Sequence, residues 1–244
     1  MIAILSPAKN MRTAPERAVQ PTRQRRAAET LELYHLLRDI PAYELEGVMN
    51  ISPTLALKAA ADFAAWTPEG GAPAILSYDG LAYKHLDPDT LTDDDLLYAQ
   101  DHLRHLSAFY GALRPLDAVR PYRLEMARRP RGTNLYKYWG AKLHDDLFDG
   151  SDTVINLASN EYSKAVSPYV QPGETFVTCE FLTYRSGKLR CLATAAKMAR
   201  GAMVRYIIQN RVDEPAGLMA FTGLDFAFEP ALSREDVYTF VQRN

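Results

Sequence analysis

The chain opens on an unbroken apolar run, Ile2-Ala3-Ile4-Leu5, stopped by Ser6-Pro7. A short apolar run that ends on a turn signal predicts a buried strand. The pattern then becomes charged, with helical character between about residues 22 and 38. At Ser52-Pro53 a serine takes the capping position and a proline the first helical position, and Leu55, Ala59 and Phe63 recur on one side. This predicts a second helix. Residues 74–78 read as a strand that ends at the turn pair Asp79-Gly80. Thr92-Asp93-Asp94-Asp95 has the form of a capping box, and Leu96, Ala99, Leu103, Leu106 and Tyr110 follow at helical spacing. One helix is therefore expected from about Asp93 to a hairpin near Gly111.

In the second half, residues 153–157 predict a short strand, and 176–184 pair with 189–194 through the turn Arg185-Ser186-Gly187-Lys188. A helix is expected from 195 to about 209, then strands at 224–228 and 237–242. Helices and strands are interleaved without regular β-α-β spacing, and no repeat or linker breaks the chain. The expectation is one α+β (mixed α/β) domain over residues 1–244.

Composition narrows the class. At 244 residues and 47% apolar the chain has ample material for a core. No apolar run approaches the roughly 20 residues of a membrane helix, and the start MIAILSPAKNMR is too short in apolar residues for a secretory signal. A cytoplasmic protein without a membrane partner is expected. Cys179 and Cys191 are the only cysteines, and they predict reduced core thiols rather than a disulfide or a metal site. His102 and His105, three apart with no second ligand pair, predict surface or packing positions rather than metal binding. No metal and no cofactor are expected.

The net charge of −2 conceals a segregation. Between Leu103 and Lys142 nine basic residues are opposed only by Asp117 and Glu125, and between Phe181 and Val212 seven basic residues face no acid. Arginine dominates both tracts, and its planar fork matches phosphate oxygens. Arg114, Arg120 and Arg129 each precede a proline, which holds them in extended backbone and presents them from ordered loops.

Several segments carry candidate chemistry. Ser6-Pro7-Ala8-Lys9 places a hydroxyl and an ammonium at a strand end, where open sheets hold ligands. Lys197 and Arg200 lie three apart on one helix face, beside Gly201, which permits close approach of a backbone or a phosphate. Residues 156–164 leave a strand for a polar loop containing Glu161, Tyr162 and Lys164. Leu106-Ser107-Ala108-Phe109-Tyr110-Gly111, between a helix and an Arg-Pro element, has the pattern of a helix-hairpin-helix over about residues 93–126. Such a hairpin holds phosphates on backbone N–H groups without reading bases.

SPAK at 6–9, HLRHLSAFYGALRPLD at 102–117, PYRLEM at 121–126, LYKYWG at 135–140, NLASNEY at 156–162 and AKMARG at 196–201 together resemble the YaaA family along almost the whole chain. The resemblance implies a peroxide-stress protein that binds double-stranded DNA, limits oxidative DNA damage and lowers free iron, using a helix-hairpin-helix beside a basic cleft. It assigns the hairpin to Ser107, Tyr110 and Gly111, with Arg114, Arg120 and Arg123 beside it, and the cleft to Lys9, Lys164, Lys197 and Arg200. Ala108 stands where the family pattern has glycine, which would restrict the hairpin if that position needs positive φ. The alternative function is an enzyme acting on a nucleotide or damaged base, with Lys9 or Lys197 as nucleophile and Glu125 or Glu161 as proton carrier. Binding without sequence preference is the expected mode.

Overall fold

The computed structural model describes residues 1–243. Its strands are β1 (Ile2–Leu5), β2 (Asn10–Met11), β3 (Ala72–Pro73), β4 (Tyr78–Asp79), β5 (Leu103–Ser107), β6 (Gly111–Leu113), β7 (Ala118–Val119), β8 (Thr153–Leu157), β9 (Thr175–Arg185), β10 (Lys188–Arg190), β11 (Phe226–Phe228) and β12 (Val237–Gln242). Its helices are α1 (Ala27–Leu37), α2 (Ala42–Met49), α3 (Pro53–Ala64), α4 (Ala74–Ser77), α5 (Leu81–Leu86), α6 (Asp93–His102), α7 (Leu135–Trp139), α8 (Lys142–Phe148), α9 (Asn160–Ser163) and α10 (Ala193–Asn210). Among the described residues no helix is long and apolar enough to cross a membrane.

One mixed sheet of order β11-β12-β9-β8-β1-β5-β6 organises the molecule, with β10 paired to β9. The five inner strands β12, β9, β8, β1 and β5 run parallel, and antiparallel strands close both edges. β1 and β5 are buried at every position and β8 at all but its first, as expected of central parallel strands covered on both faces. α6 packs on β1 and β5, α10 on β9, α5 and α6, and α8 on β6 and β8.

The order of the parallel strands fixes where a ligand site belongs. From β1 the chain proceeds to β5 on one side, and from β8 to β9 on the other. The carboxyl ends of β1 and β8 therefore flank a topological switch point, where crossovers leave in opposite directions and open a crevice.

Several predicted elements form as expected. β1, β8 and β12 have the predicted limits, and the predicted α3 is capped by Ser52, whose side chain accepts from Leu55 N. The capping box at Thr92 and Asp95 forms, with both reciprocal bonds at 3.1 Å.

Two corrections concern the middle of the chain. Residues 74–77 form the fully buried α4 rather than a strand. A short apolar run does not distinguish a buried strand from a buried helical turn. The helix begun at Asp93 ends at His102, and Leu103 to Ser107 continue as β5, seated between β1 and β6. Leu103, Leu106 and Tyr110 have helical spacing, but pairing on both edges and burial on both faces favour the strand over local propensity. The expected helix-hairpin-helix is thus a β-hairpin.

Candidate functional site

Beyond β1 and β8 the chain enters two loops that are tied together. Ser159 N donates to Ser6 Oγ at 2.8 Å, and Ser6 Oγ donates to Ser159 Oγ at 3.2 Å. The Tyr83 hydroxyl on α5 donates to the Ser6 carbonyl at 3.3 Å and lies 2.9 Å from His105 Nδ1. Pairing of Asn10 with Asp79 and of Met11 with Tyr78 fastens the Ser6–Lys9 segment to the entry of α5. Between these segments, the Tyr122–Glu125 stretch and α10 lies a pocket of about 310 Å³. A second hollow of about 270 Å³ shares Lys9, Asn10, Asp79, Tyr122 and Arg123 with it and extends to Lys58 on α3. The pocket thus opens into a groove.

One wall depends on a glycine. A Cβ built at Gly201 would stand 1.8 Å from the Ala82 carbonyl oxygen and 2.6 Å from its carbon. Without a Cβ, α10 lies directly on α5, and Lys197, one turn before Gly201, and Arg200, next to it, face the pocket.

The charges are mixed and unevenly compensated. Glu125 is the hub of one cluster, with Lys9 Nζ at 3.1 Å, Arg128 Nη2 at 3.1 Å and Arg123 Nη2 at 3.7 Å. Burial works to raise the Glu125 carboxyl, but the hydrogen bonds and charges of Lys9 and Arg128 outweigh it and hold the group below its ordinary range. Glu161 Oε1 accepts from Ala127 N at 3.0 Å. Asp79 has Lys84 at 3.9 Å.

Arg200 differs from the other cations. Its Nε, like those of Arg123 and Arg128, is buried without a hydrogen-bond partner among the described residues, but it lacks their carboxylate partner, and the groups that act electrostatically on it are the thiols of Cys179 and Cys191. Burial pushes its guanidinium below the ordinary arginine value. Lys197 beside it is exposed and has no carboxylate partner among the described residues. Tyr83 and Tyr162, pushed well up by burial, and Tyr122, pushed up to about 12 by burial, stay neutral phenols along the lining.

Of the residues expected to act, Lys9, Glu125, Arg123, Glu161, Lys197 and Arg200 meet at this pocket. Lys164 is exposed and stands outside its lining. Ser107, Tyr110 and Gly111 are buried in the turn between β5 and β6, which corrects their expected presentation to a phosphate. Ser107 Oγ accepts from Phe109 N and Tyr110 N at 3.2 and 3.0 Å and lies 2.7 Å from the Tyr122 hydroxyl. The hairpin amides are used internally. Gly111 has φ +82° with the Trp139 ring 3.0 Å from where its Cβ would be, whereas Ala108 is outside the positive-φ region and carries no strain there.

Arg114 and Arg120 are bound into the fold. Arg114 Nε and Nη2 reach Asp117 Oδ1 at 3.2 and 3.0 Å, and Arg120 donates to the Glu69 carbonyl from Nε at 3.0 Å and Nη2 at 2.8 Å. The second basic tract is dispersed as well, since Arg205 lies 3.9 Å from Asp87 and Arg211 2.9 Å from Asp95. The expected basic cleft is therefore a smaller pocket of both signs. Cys179 is buried as expected, but Cys191 is exposed, and both are free thiols. His105 is fully buried, and His102 stacks on Tyr98 at 4.0 Å. Among the described residues no three His, Cys, Asp or Glu side chains stand together as metal ligands.

Sequence reasoning missed Tyr83, Tyr122, Ser159 and Asp79 as pocket residues. Ser159 had a usable signal, since it follows a predicted strand as Ser6 does. The tyrosines had none, because only the tertiary fold distinguishes a lining phenol from a core one.

Fold and pocket define an α/β protein with a pocket at the switch point of a largely parallel sheet. The chain belongs to the family described as Peroxide stress protein YaaA, which it matches over residues 1–232. It is 38% identical to a UPF0246 protein of Saccharophagus degradans across all of both chains. It is 39% identical to one of Limosilactobacillus fermentum, over 99% of this chain and 100% of the relative. A UPF0246 protein of Pediococcus pentosaceus is 43% identical over 70% of this chain and 69% of its own.

Proposed function

We propose that the protein acts in peroxide stress by binding DNA and taking one nucleotide unit into the pocket at the ends of β1 and β8. The observation that carries this reading is the uncompensated pair Lys197 and Arg200 on the pocket wall. A partly buried guanidinium without a carboxylate is costly unless an anion completes it. The shared hollow running past Lys9 and Arg123 to Lys58 gives a continuing strand a path. Contacts to phosphate fix position without reading sequence, so little sequence preference follows. Protection of DNA is the direct act in this reading, and a lower level of free iron its indirect consequence.

The test is a fluorescence titration of duplex DNA against salt. With Lys197 and Arg200 neutralising two phosphates, and Lys9 and Arg123 adding to them only as far as they leave Glu125, the slope of log affinity on log salt is expected between about −2 and −4. Replacing Lys197 and Arg200 together by glutamine should reduce that slope by about 2 and weaken binding on every sequence alike. Unchanged affinity in the folded double variant would overturn the reading.

A further inference from the structure

Resting on the reading of this pocket as a nucleotide site, we infer that its α10 wall is a subsite for a phosphate monoester, so that the ligand is a terminal or free nucleotide rather than an internal one. The argument is one of charge. Lys9 and Arg123 are already engaged by Glu125, whereas Lys197 and Arg200 face the pocket without an acid of their own. Two uncompensated positive charges one helical turn apart match a monoester, which carries about −1.5 to −2 at neutral pH. A phosphodiester within a strand brings one negative charge and leaves one of the two cations unanswered.

The remaining walls suit the rest of a nucleotide. Ser6 and Ser159 offer hydroxyls, Glu161 and Asp79 accept from sugar or base donors, and Leu157 with Tyr83 supplies apolar surface. A hollow of about 310 Å³ is of small-ligand size and admits a nucleotide but not a duplex. Radical cleavage of deoxyribose leaves phosphate monoester ends on the broken strand, so an oxidised DNA presents this group where an intact one does not.

Calorimetric titration separates the sources of the monoester. The probes are thymidine, its 5′- and 3′-monophosphates, inorganic phosphate, and one duplex sequence with hydroxyl, 5′-phosphate or 3′-phosphate ends. A monophosphate, or a duplex with one kind of phosphorylated end, is expected to bind about 10-fold or more tighter than its unphosphorylated counterpart, the scale of a charge-assisted contact. The advantage should shrink as pH falls through about 6, where the monoester takes up a proton. Arg200→Gln and, on the exposed side, Lys197→Gln should each remove most of it, and Arg200→Lys should restore part. Equal binding of phosphorylated and unphosphorylated probes overturns the inference. If duplex binding then still depends on Lys197 and Arg200, the DNA reading stands without the subsite; if no probe binds at all, both fall.

Discussion

Arg114 precedes a proline and donates two guanidinium N–H groups to Asp117, a carboxylate with no solvent exposure. The same carboxylate accepts from Thr22 Oγ1 at 2.7 Å and from Arg114 N at 2.8 Å, so it fastens the segment before α1 to the turn after β6. Arg114→Ala would leave that buried charge without its cation, a change that costs about 3–5 kcal/mol. The expected outcome is a large loss of unfolding free energy in urea, with DNA affinity of the folded fraction unchanged. Adding Asp117→Asn should recover part of the loss, because a neutral amide tolerates burial without a cation. Equal stability of wild type and Arg114→Ala would show that the pair contributes nothing. The stiffness of Arg114 was legible in the sequence, but its partner was not, since burial of Asp117 depends on Thr22, far away along the chain.

Elements whose pattern is local were legible, and elements defined by distant partners were not. The limits of β1, β8 and β12 follow from short apolar runs, and the starts of α3 and α6 from their caps. β5 was hidden because one of its two neighbours, β1, is remote: Ala3 pairs with both Leu103 and Ile155, and no local pattern reports that register. The parallel order, and with it the switch point, was hidden for the same reason. Gly201 joins element to site. Gly201→Ala would place a methyl within the Ala82 carbonyl, so α10 must move off α5. Overpacking of this kind costs about 1–3 kcal/mol. The thermal midpoint should fall, and pocket ligands should bind more weakly than to wild type at a temperature where both are folded, because Lys197 and Arg200 move with the helix. A lower midpoint with unchanged binding would show that the helix relaxes without moving the site.

At the scale of the whole molecule, histidine burial governs the first stage of acid destabilisation. His105 lies in the central β5 with no exposure, and burial, reinforced by the charge of Arg104, lowers its pKa from 6.5 to about 3. The unfolded chain takes up a proton near its ordinary value while the folded one does not, so stability is full above about 6.5 and falls as pH drops below it. The slope from this one group is about 1.4 kcal/mol per pH unit, or about 3 kcal/mol between pH 6.5 and 4.5. His102, also lowered by burial, adds in the same direction. His144 runs the other way: burial opposes its charge, but hydrogen bonds from its ring to Asp145 and Glu174 raise its pKa. Its contribution is complete below 6.5 and is lost only as pH rises through the raised folded value. The depressed carboxyls, Asp89 held low by Arg12 and Glu125 by Lys9 and Arg128 against the cost of burial, withdraw support only below about pH 4.5. The interval from 6.5 to 4.5 therefore belongs mainly to His105, with the half-buried His102 adding to it. Urea midpoints measured across it should fall steadily for the wild type. His105→Asn, whose amide stands where Nδ1 meets the Tyr83 hydroxyl but does not titrate, should start from a lower stability and show a much flatter dependence. An equally steep fall in the variant would assign the acid sensitivity to another group and would mean that the folded protein accommodates a charged His105.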